Sequence, residues 1–274
     1  MATIETLLRT ARLPDSPSAK LDAEWLLAAA LGKSPSYLRT WPEREVPAET
    51  EARFVSDLER RRQGEPVAYI LGRQGFWSLE LEVAPHTLIP RPDTELLVET
   101  ALQLVPATPA AVLDLGTGSG AIALALASER PIWTITGVDR VSEAVTLAVR
   151  NAQRLDLGNA DFRESHWFSA LSGHYSLIVS NPPYIPSSDP HLLQGDVRFE
   201  PSSALVAGED GLDDIRQIIA QAPAHLLPAG WLLLEHGYDQ AAAVRSLLQE
   251  GGFVEVESRR DIGGHERVSL GRLR

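Results

Sequence analysis

The chain has 274 residues, 44% hydrophobic and 23% charged, which suits one large globular domain with a smaller companion. Its net charge of −12 is uneven: residues 1–75 carry 11 basic and 11 acidic side chains, residues 76–274 carry 14 and 26. An acidic main half argues against a tight grip on a nucleic-acid backbone, which needs clustered cations. The absence of cysteine excludes disulfides and thiolate metal sites, and the seven histidines are scattered without ligand spacing, so no metal is assigned. Met1–Thr6 lacks a basic segment leading into an apolar core, so no signal peptide is expected. The most apolar stretches, 121–127 and 226–234, are too short to span a bilayer. A cytoplasmic protein without a membrane partner is expected.

Residues 1–72 read as a small helical bundle. Ile4, Leu7, Leu8 and Ala11 share one helical face; Leu21, Trp25, Leu26, Ala29 and Ala30 continue that spacing in a second helix closed by Gly32. Ser34-Pro35 starts a short helix, and Pro47 opens another that runs to Gln63, closed by Gly64. Arg60-Arg61-Arg62 at its end reads as favourable placement against the helix dipole. Trp77, Leu79, Leu81 and Val83 alternate with polar residues as a strand, with His86–Ile89 as a candidate second arm. Residues 73–92 are accordingly a hairpin linker, and 93–274 the main domain. Pro92-Asp93-Thr94-Glu95 opens a helix with Asp93 as its expected cap.

From Ala111 onward strands and helices alternate. Strands are predicted at 111–115, 132–138, 160–164, 175–180, 230–235, 253–258 and 266–271, and helices near 119–129, 142–155, 212–226 and 239–250. This pattern predicts an α/β fold with a doubly wound, mostly parallel seven-stranded sheet. The last two strands are joined by Asp261-Ile262-Gly263-Gly264, too short for a crossover, so they form an antiparallel hairpin. Residues 184–210 have little periodicity and read as a substrate lid.

Two motifs carry chemistry. After the strand 111–115 come Gly116, Thr117, Gly118, Ser119 and Gly120, then an apolar helix. Glycines there let backbone approach a ligand. The G-x-G-x-G spacing is neither the dinucleotide fingerprint nor a phosphate loop. Asp139, ending the next strand, is placed for two vicinal ribose hydroxyls, so the ligand reads as a nucleoside without pyrophosphate. The second motif is Asn181-Pro182-Pro183-Tyr184, directly after the strand 175–180. The Asn carboxamide offers an acceptor, two prolines stiffen the turn and present carbonyls, and Tyr184 offers a flat face. Together they suit a planar NH₂ held in line with an electrophile. Tyr184 as an ordinary packed ring stays open, as does a structural Arg91–Glu95 pair.

On these motifs, with Ile89–Glu95, Phe199-Glu200-Pro201, Gly208–Leu212 and the helical N-terminal region, the chain resembles the class I S-adenosylmethionine-dependent methyltransferases. Within them it resembles the HemK/PrmC family of glutamine methyltransferases. The resemblance implies S-adenosylmethionine as cofactor and peptide chain release factors as protein partners, methylated on the amide nitrogen of the glutamine in a Gly-Gly-Gln motif. It implies that Gly116–Gly120 line the cofactor, Asp139 holds the ribose, Trp167 lies beside the adenine, and Asn181 touches both cofactor and substrate. For Trp167 the residues alone leave core packing equally open. Asn181, Pro182 and Tyr184 are the expected catalytic residues, with Pro183 completing the substrate notch. The helical region is expected to dock the substrate, and a monomer is the default. Rival readings are an adenine-N6 methyltransferase acting on nucleic acid, a non-catalytic nucleoside-binding adaptor, and a nicotinamide oxidoreductase.

Overall fold

The computed structural model describes residues 1–274, which divide into two compact units: Met1–Arg73 with Pro190–Phe199, and Gln74–Asp189 with Glu200–Arg274.

The first unit is helical: α1 (Ile4–Thr10), α2 (Ala19–Leu31), α3 (Pro35–Thr40), α4 (Ala48–Arg62) and α5 (Val67–Leu71). Thr3 and Ser34 cap α1 and α3 by accepting the amides of Thr6 and Tyr37, satisfying donors that a helix start leaves orphaned. The core gathers Ile4, Leu7, Leu26, Leu27, Leu38, Phe54 and Leu58. Two expectations change here. Leu21 and Trp25 stand 50% and 47% exposed, while Ala23, Leu27 and Ala28 are buried; α2 is apolar almost all round, so spacing alone could not choose its inner face. Arg61 is buried and binds Asp22 and Asp196, both at 2.7 Å, a specific contact beyond a dipole effect. With Arg198 donating to the Gln63 carbonyl at 3.0 Å, it fixes residues 190–199 to α4. The expected lid is therefore not one free loop.

A two-stranded sheet, β1 (Arg73–Phe76) and β2 (Leu79–Glu82), comes next in the chain. Trp77 takes φ +57° and makes the turn, so the strand expected from Trp77 to Val83 is split. The candidate arm 86–89 is not a strand. A 3₁₀ turn over Pro92–Thr94 leads into α6 (Glu95–Leu104), and Asp93 does not cap it.

The main sheet runs β5-β4-β3-β6-β7-β9-β8, with β3 (Ala111–Leu115), β4 (Thr134–Asp139), β5 (Ala160–Glu164), β6 (Tyr175–Ser180), β7 (Leu226–Glu235), β8 (Val254–Arg260) and β9 (Glu266–Arg272). Pairs among β3–β7 are parallel, while β9 runs antiparallel to β7 and β8. Successive strand residues feed opposite faces. Val112, Leu177 and Val179 join one core with α6 and α7 (Ala121–Glu129); Leu113 and Ile178 join the other with α9 (Asp213–Gln221) and α10 (Ala241–Glu250). α8 (Ser142–Arg154) packs on the first face through Ala148 and Ala152. α9 ends earlier than expected because Pro223, in the following 3₁₀ turn, has no N–H to continue the ladder.

Candidate active site

The chain adds β4 and β5 on one side of β3 and then returns to place β6 on the other. Ligands collect at the carboxyl ends of strands at such a reversal. Leu115 and Ser180 are register partners, and the Ser180 hydroxyl donates to the Leu115 carbonyl at 2.7 Å. The glycine turn and the Asn181–Tyr184 turn therefore leave the sheet side by side. Between them opens a cleft whose walls include Gly116–Ser119, Asp139, Trp167, Asn181 and Pro183.

The glycine turn is shaped from beneath. Asp114 is wholly buried; its Oδ2 accepts the Thr117 hydroxyl at 2.7 Å and the Ala123 amide at 3.2 Å. Burial pushes its carboxyl up to about 7. Gly116, Gly118 and Gly120 all have positive φ. A Cβ on Gly118 would meet nothing, leaving room for a ligand. One on Gly120 would lie 3.0 Å from Leu124, 3.2 Å from Ala148 and 3.3 Å from Phe162. Gly120 is not on the cleft wall; it lets α7 and α8 pack closely.

Asp139 is held on both oxygens. Oδ2 accepts the Gly118 amide and Oδ1 the Val141 amide, each at 3.0 Å. Its remaining lone pairs can take two neighbouring hydroxyls. Trp167 adopts φ +50°, is 8% exposed, and presents its ring edge to Gly116. Ser165 holds that backbone by donating to the Trp167 carbonyl at 2.8 Å.

In the second turn, Asn181 and Pro183 reach the cleft, whereas Pro182 and Tyr184 are not among its walls. The Asn181 Nδ2 donates to the Thr94 hydroxyl at 3.2 Å, which leaves Oδ1 as the acceptor available to the cleft. The Tyr184 ring packs against the second core, its hydroxyl 3.5 Å from Glu235, and burial raises its phenol. The turn is pinned from behind: Gln240 donates to the Tyr184 carbonyl at 2.9 Å. Gly211 lies against that same carbonyl, where a Cβ would overlap it. Ile185 and Val206 form a bridge.

Thr94, Glu235, Gln240 and His86 were not legible as site residues. Thr94 lies in the flagged segment Ile89–Glu95, but nothing local says that its hydroxyl turns to Asn181. Arg91 pairs with Glu200, and Glu95 accepts the Trp77 amide at 2.8 Å, so the two do not form the local pair left open by the sequence. Glu200 also accepts the Ile89 amide at 3.1 Å.

These residues fit a nucleoside-bearing methyl donor. Asp139 presents a fixed carboxylate, Gly118 leaves open backbone, and on the same wall the His86 Nε2 is buried without a protein partner. Such an atom calls for a ligand or water.

Comparison with known proteins agrees. Residues 7–72 match the family model of the PrmC N-terminal domain, and residues 92–193 that of the methyltransferase small domain. The release factor glutamine methyltransferase of Pseudomonas aeruginosa is 71% identical over 272 residues, 99% of either chain. That of Vibrio cholerae is 53% identical over 278 residues, 99% of this chain and 97% of the other. Among solved structures, a Pyrococcus furiosus methyltransferase superposes with TM-score 0.55 at 17% identity, over 72% of this chain and 89% of that one. A Thermus thermophilus 16S rRNA N2 G1207 methyltransferase, solved with AdoMet and guanosine, gives TM-score 0.54 at 22% identity, over 74% and 50%. These two likenesses speak for the fold alone.

Proposed function

The chain belongs to the release factor glutamine methyltransferases, and from that premise we propose how its cleft performs the reaction. It is an S-adenosylmethionine-dependent enzyme that methylates the side-chain amide nitrogen of a glutamine in peptide chain release factors. The glutamine is proposed to be that of the Gly-Gly-Gln motif. The protein is proposed to act as a cytoplasmic monomer without stable nucleic-acid binding.

S-adenosylmethionine, when bound, supplies a methyl group on a sulfonium for in-line displacement, a reaction that depends chiefly on alignment. Gly116–Ser119 and Asp139 are proposed to hold its nucleoside end, with Trp167 along the base. Asn181 Oδ1 accepts one N–H of the substrate amide, and the Pro182 carbonyl accepts the other. An amide nitrogen is a poor nucleophile because its lone pair is delocalised into the carbonyl. Two acceptors orient it and stabilise the positive charge that grows on it. The donor would keep the electron pair of its C–S bond as the substrate nitrogen takes the methyl group. The nitrogen then releases its proton to water, so no strong base is required.

The observation that carries this reading is the side-by-side exit of the two turns, with Asn181 on the cleft wall and its Nδ2 engaged by Thr94. The test is methyl transfer from labelled donor to an intact release factor and to its Gln→Ala variant at the Gly-Gly-Gln glutamine. Label in the first and none in the second is expected; equal label in both overturns it. The adenine-N6 alternative predicts label in DNA or RNA instead, which the acidity of residues 76–274 disfavours.

A further inference from the structure

Gln240 stands at the N-cap of α10 and makes no capping hydrogen bond; the residues favoured there carry short side chains that accept from the helix start. Its carboxamide is spent on backbone elsewhere. Oε1 accepts the Gly237 amide at 2.8 Å, and Nε2 donates to the Tyr184 carbonyl at 2.9 Å and the Asp210 carbonyl at 3.3 Å. A backbone N–H only donates and a backbone carbonyl only accepts, so these partners admit one orientation of the amide. The residue is buried.

The bond to Tyr184 bears on the notch because of how that turn is built. Pro182 and Pro183 have no N–H, so neither can anchor the turn by donating. Its far end is the peptide plane between Tyr184 and Ile185, which is held on both edges. The carbonyl accepts from Gln240, and the Ile185 N–H donates to the Leu205 carbonyl at 2.9 Å. Its near end is Ser180, in register with Leu115 and Leu234. With both ends fixed and two φ angles between them locked by proline, the Pro182 carbonyl has little freedom to turn. The segment Gly208–Leu212 closes on the same point. Gly211 takes φ +75°, and a Cβ there would overlap the Tyr184 carbonyl and lie 2.8 Å from Gln240 Nε2. Ser187 donates its N–H to the Gly208 carbonyl at 2.8 Å.

We infer that Gln240 and Gly211 are positioning residues: they clamp the far end of the Asn181–Tyr184 turn so that its acceptors meet the substrate amide. This deepens the proposed function and rests on it. A wild-type enzyme that leaves release factor unmethylated overturns that reading, whereas the clamp is judged only on variants of an active enzyme.

The experiment measures kcat and KM on an intact release factor, and the Kd of S-adenosylhomocysteine, for Gln240→Met, Gln240→Glu, Gly211→Ala and the double variant Gln240→Met with Gly211→Ala. Gln240→Met removes the donors at similar length and should lower kcat about tenfold, part of what a direct contact contributes. The Kd should stay within about threefold, because the glycine turn and Asp139 use none of these bonds; a general loosening of the fold would move both. Gln240→Glu keeps an acceptor for Gly237 but faces Tyr184 with an oxygen, and should reproduce the loss. It carries the test if Gln240→Met folds poorly. Gly211→Ala displaces the same carbonyl from the other side, so the double variant should fall less than about twofold below the worse single one. A kcat within about twofold of wild type in both Gln240 variants overturns the inference. So does a cofactor-product affinity that drops as far as kcat, or losses that multiply in the double variant.

Discussion

The Gly118 amide donates to Oδ2 of Asp139 at 3.0 Å, tying the turn after β3 to the end of β4. The carboxylate thus shapes the turn, and its remaining lone pairs are those proposed to take the ribose. Asp139→Ala should raise the KM for S-adenosylmethionine at least tenfold, since a charged hydrogen bond contributes roughly 1.5–3 kcal/mol, with a smaller change in kcat. Steady-state kinetics at saturating release factor reads it, and an unaltered KM rejects the ribose role.

Asn181→Ala removes the acceptor proposed to orient the amide. By comparison with single preorganised groups elsewhere, kcat should fall roughly a hundredfold or more at saturating cofactor. Turnover near the wild-type level would contradict the proposed role of the notch.

The glycines of one turn should separate by task. Gly120→Ala forces a Cβ among Leu124, Ala148 and Phe162 at a φ of +85°. It should cost about 2–4 kcal/mol of stability, from overpacking and the left-handed backbone together. Gly118→Ala meets no protein atom and should cost only about 1–2 kcal/mol, its main effect falling on cofactor KM. Chemical denaturation beside kinetics distinguishes them; equal destabilisation would remove the distinction.

The strands of the main sheet were legible because each is a short apolar run bounded by turn residues, and Asp139 was legible because it ends one of them. Parallel pairing of the core strands follows from the intervening helices. The hairpin was misplaced because Trp77 continues the apolar alternation while its backbone turns, and alternation carries no record of φ. Tyr184 was read as a stacking face, but its ring packs against the second core, which depends on where α9 and α10 lie. Long-range partners left no local trace: Asn181 and Thr94 are separated by 87 residues, Arg91 and Glu200 by 109.

Arg61 illustrates the same point in the helical unit. Its guanidinium faces Asp22, which also accepts the Ser16 and Ser18 hydroxyls at 2.7 and 2.8 Å. Arg61→Met leaves a buried carboxylate without a counter-charge and should cost about 3–5 kcal/mol. Asp196→Asn breaks a pair whose acid is 44% exposed and should cost under about 1 kcal/mol. It should nonetheless quicken proteolytic nicking within residues 190–199. Thermal unfolding and limited proteolysis read the pair, and equal costs would show that the contact to Asp22 is not the dominant one.

Glu235 should make stability depend on pH. Burial raises its carboxyl from an ordinary 4.5 to about 7 in the folded protein. Between those values the unfolded chain has released a proton that the native state still holds, so stability must fall as pH rises through this window. The full deficit, roughly 3 kcal/mol for a displacement of that size, is reached above about pH 7. Asp114, raised to about 7 by the same cause, contributes in the same direction. Glu235→Gln removes one of the two, so urea-unfolding free energies of variant and wild type should diverge by about 2–3 kcal/mol between pH 5 and 8, with the variant losing less. Parallel curves would mean that Glu235 titrates alike folded and unfolded.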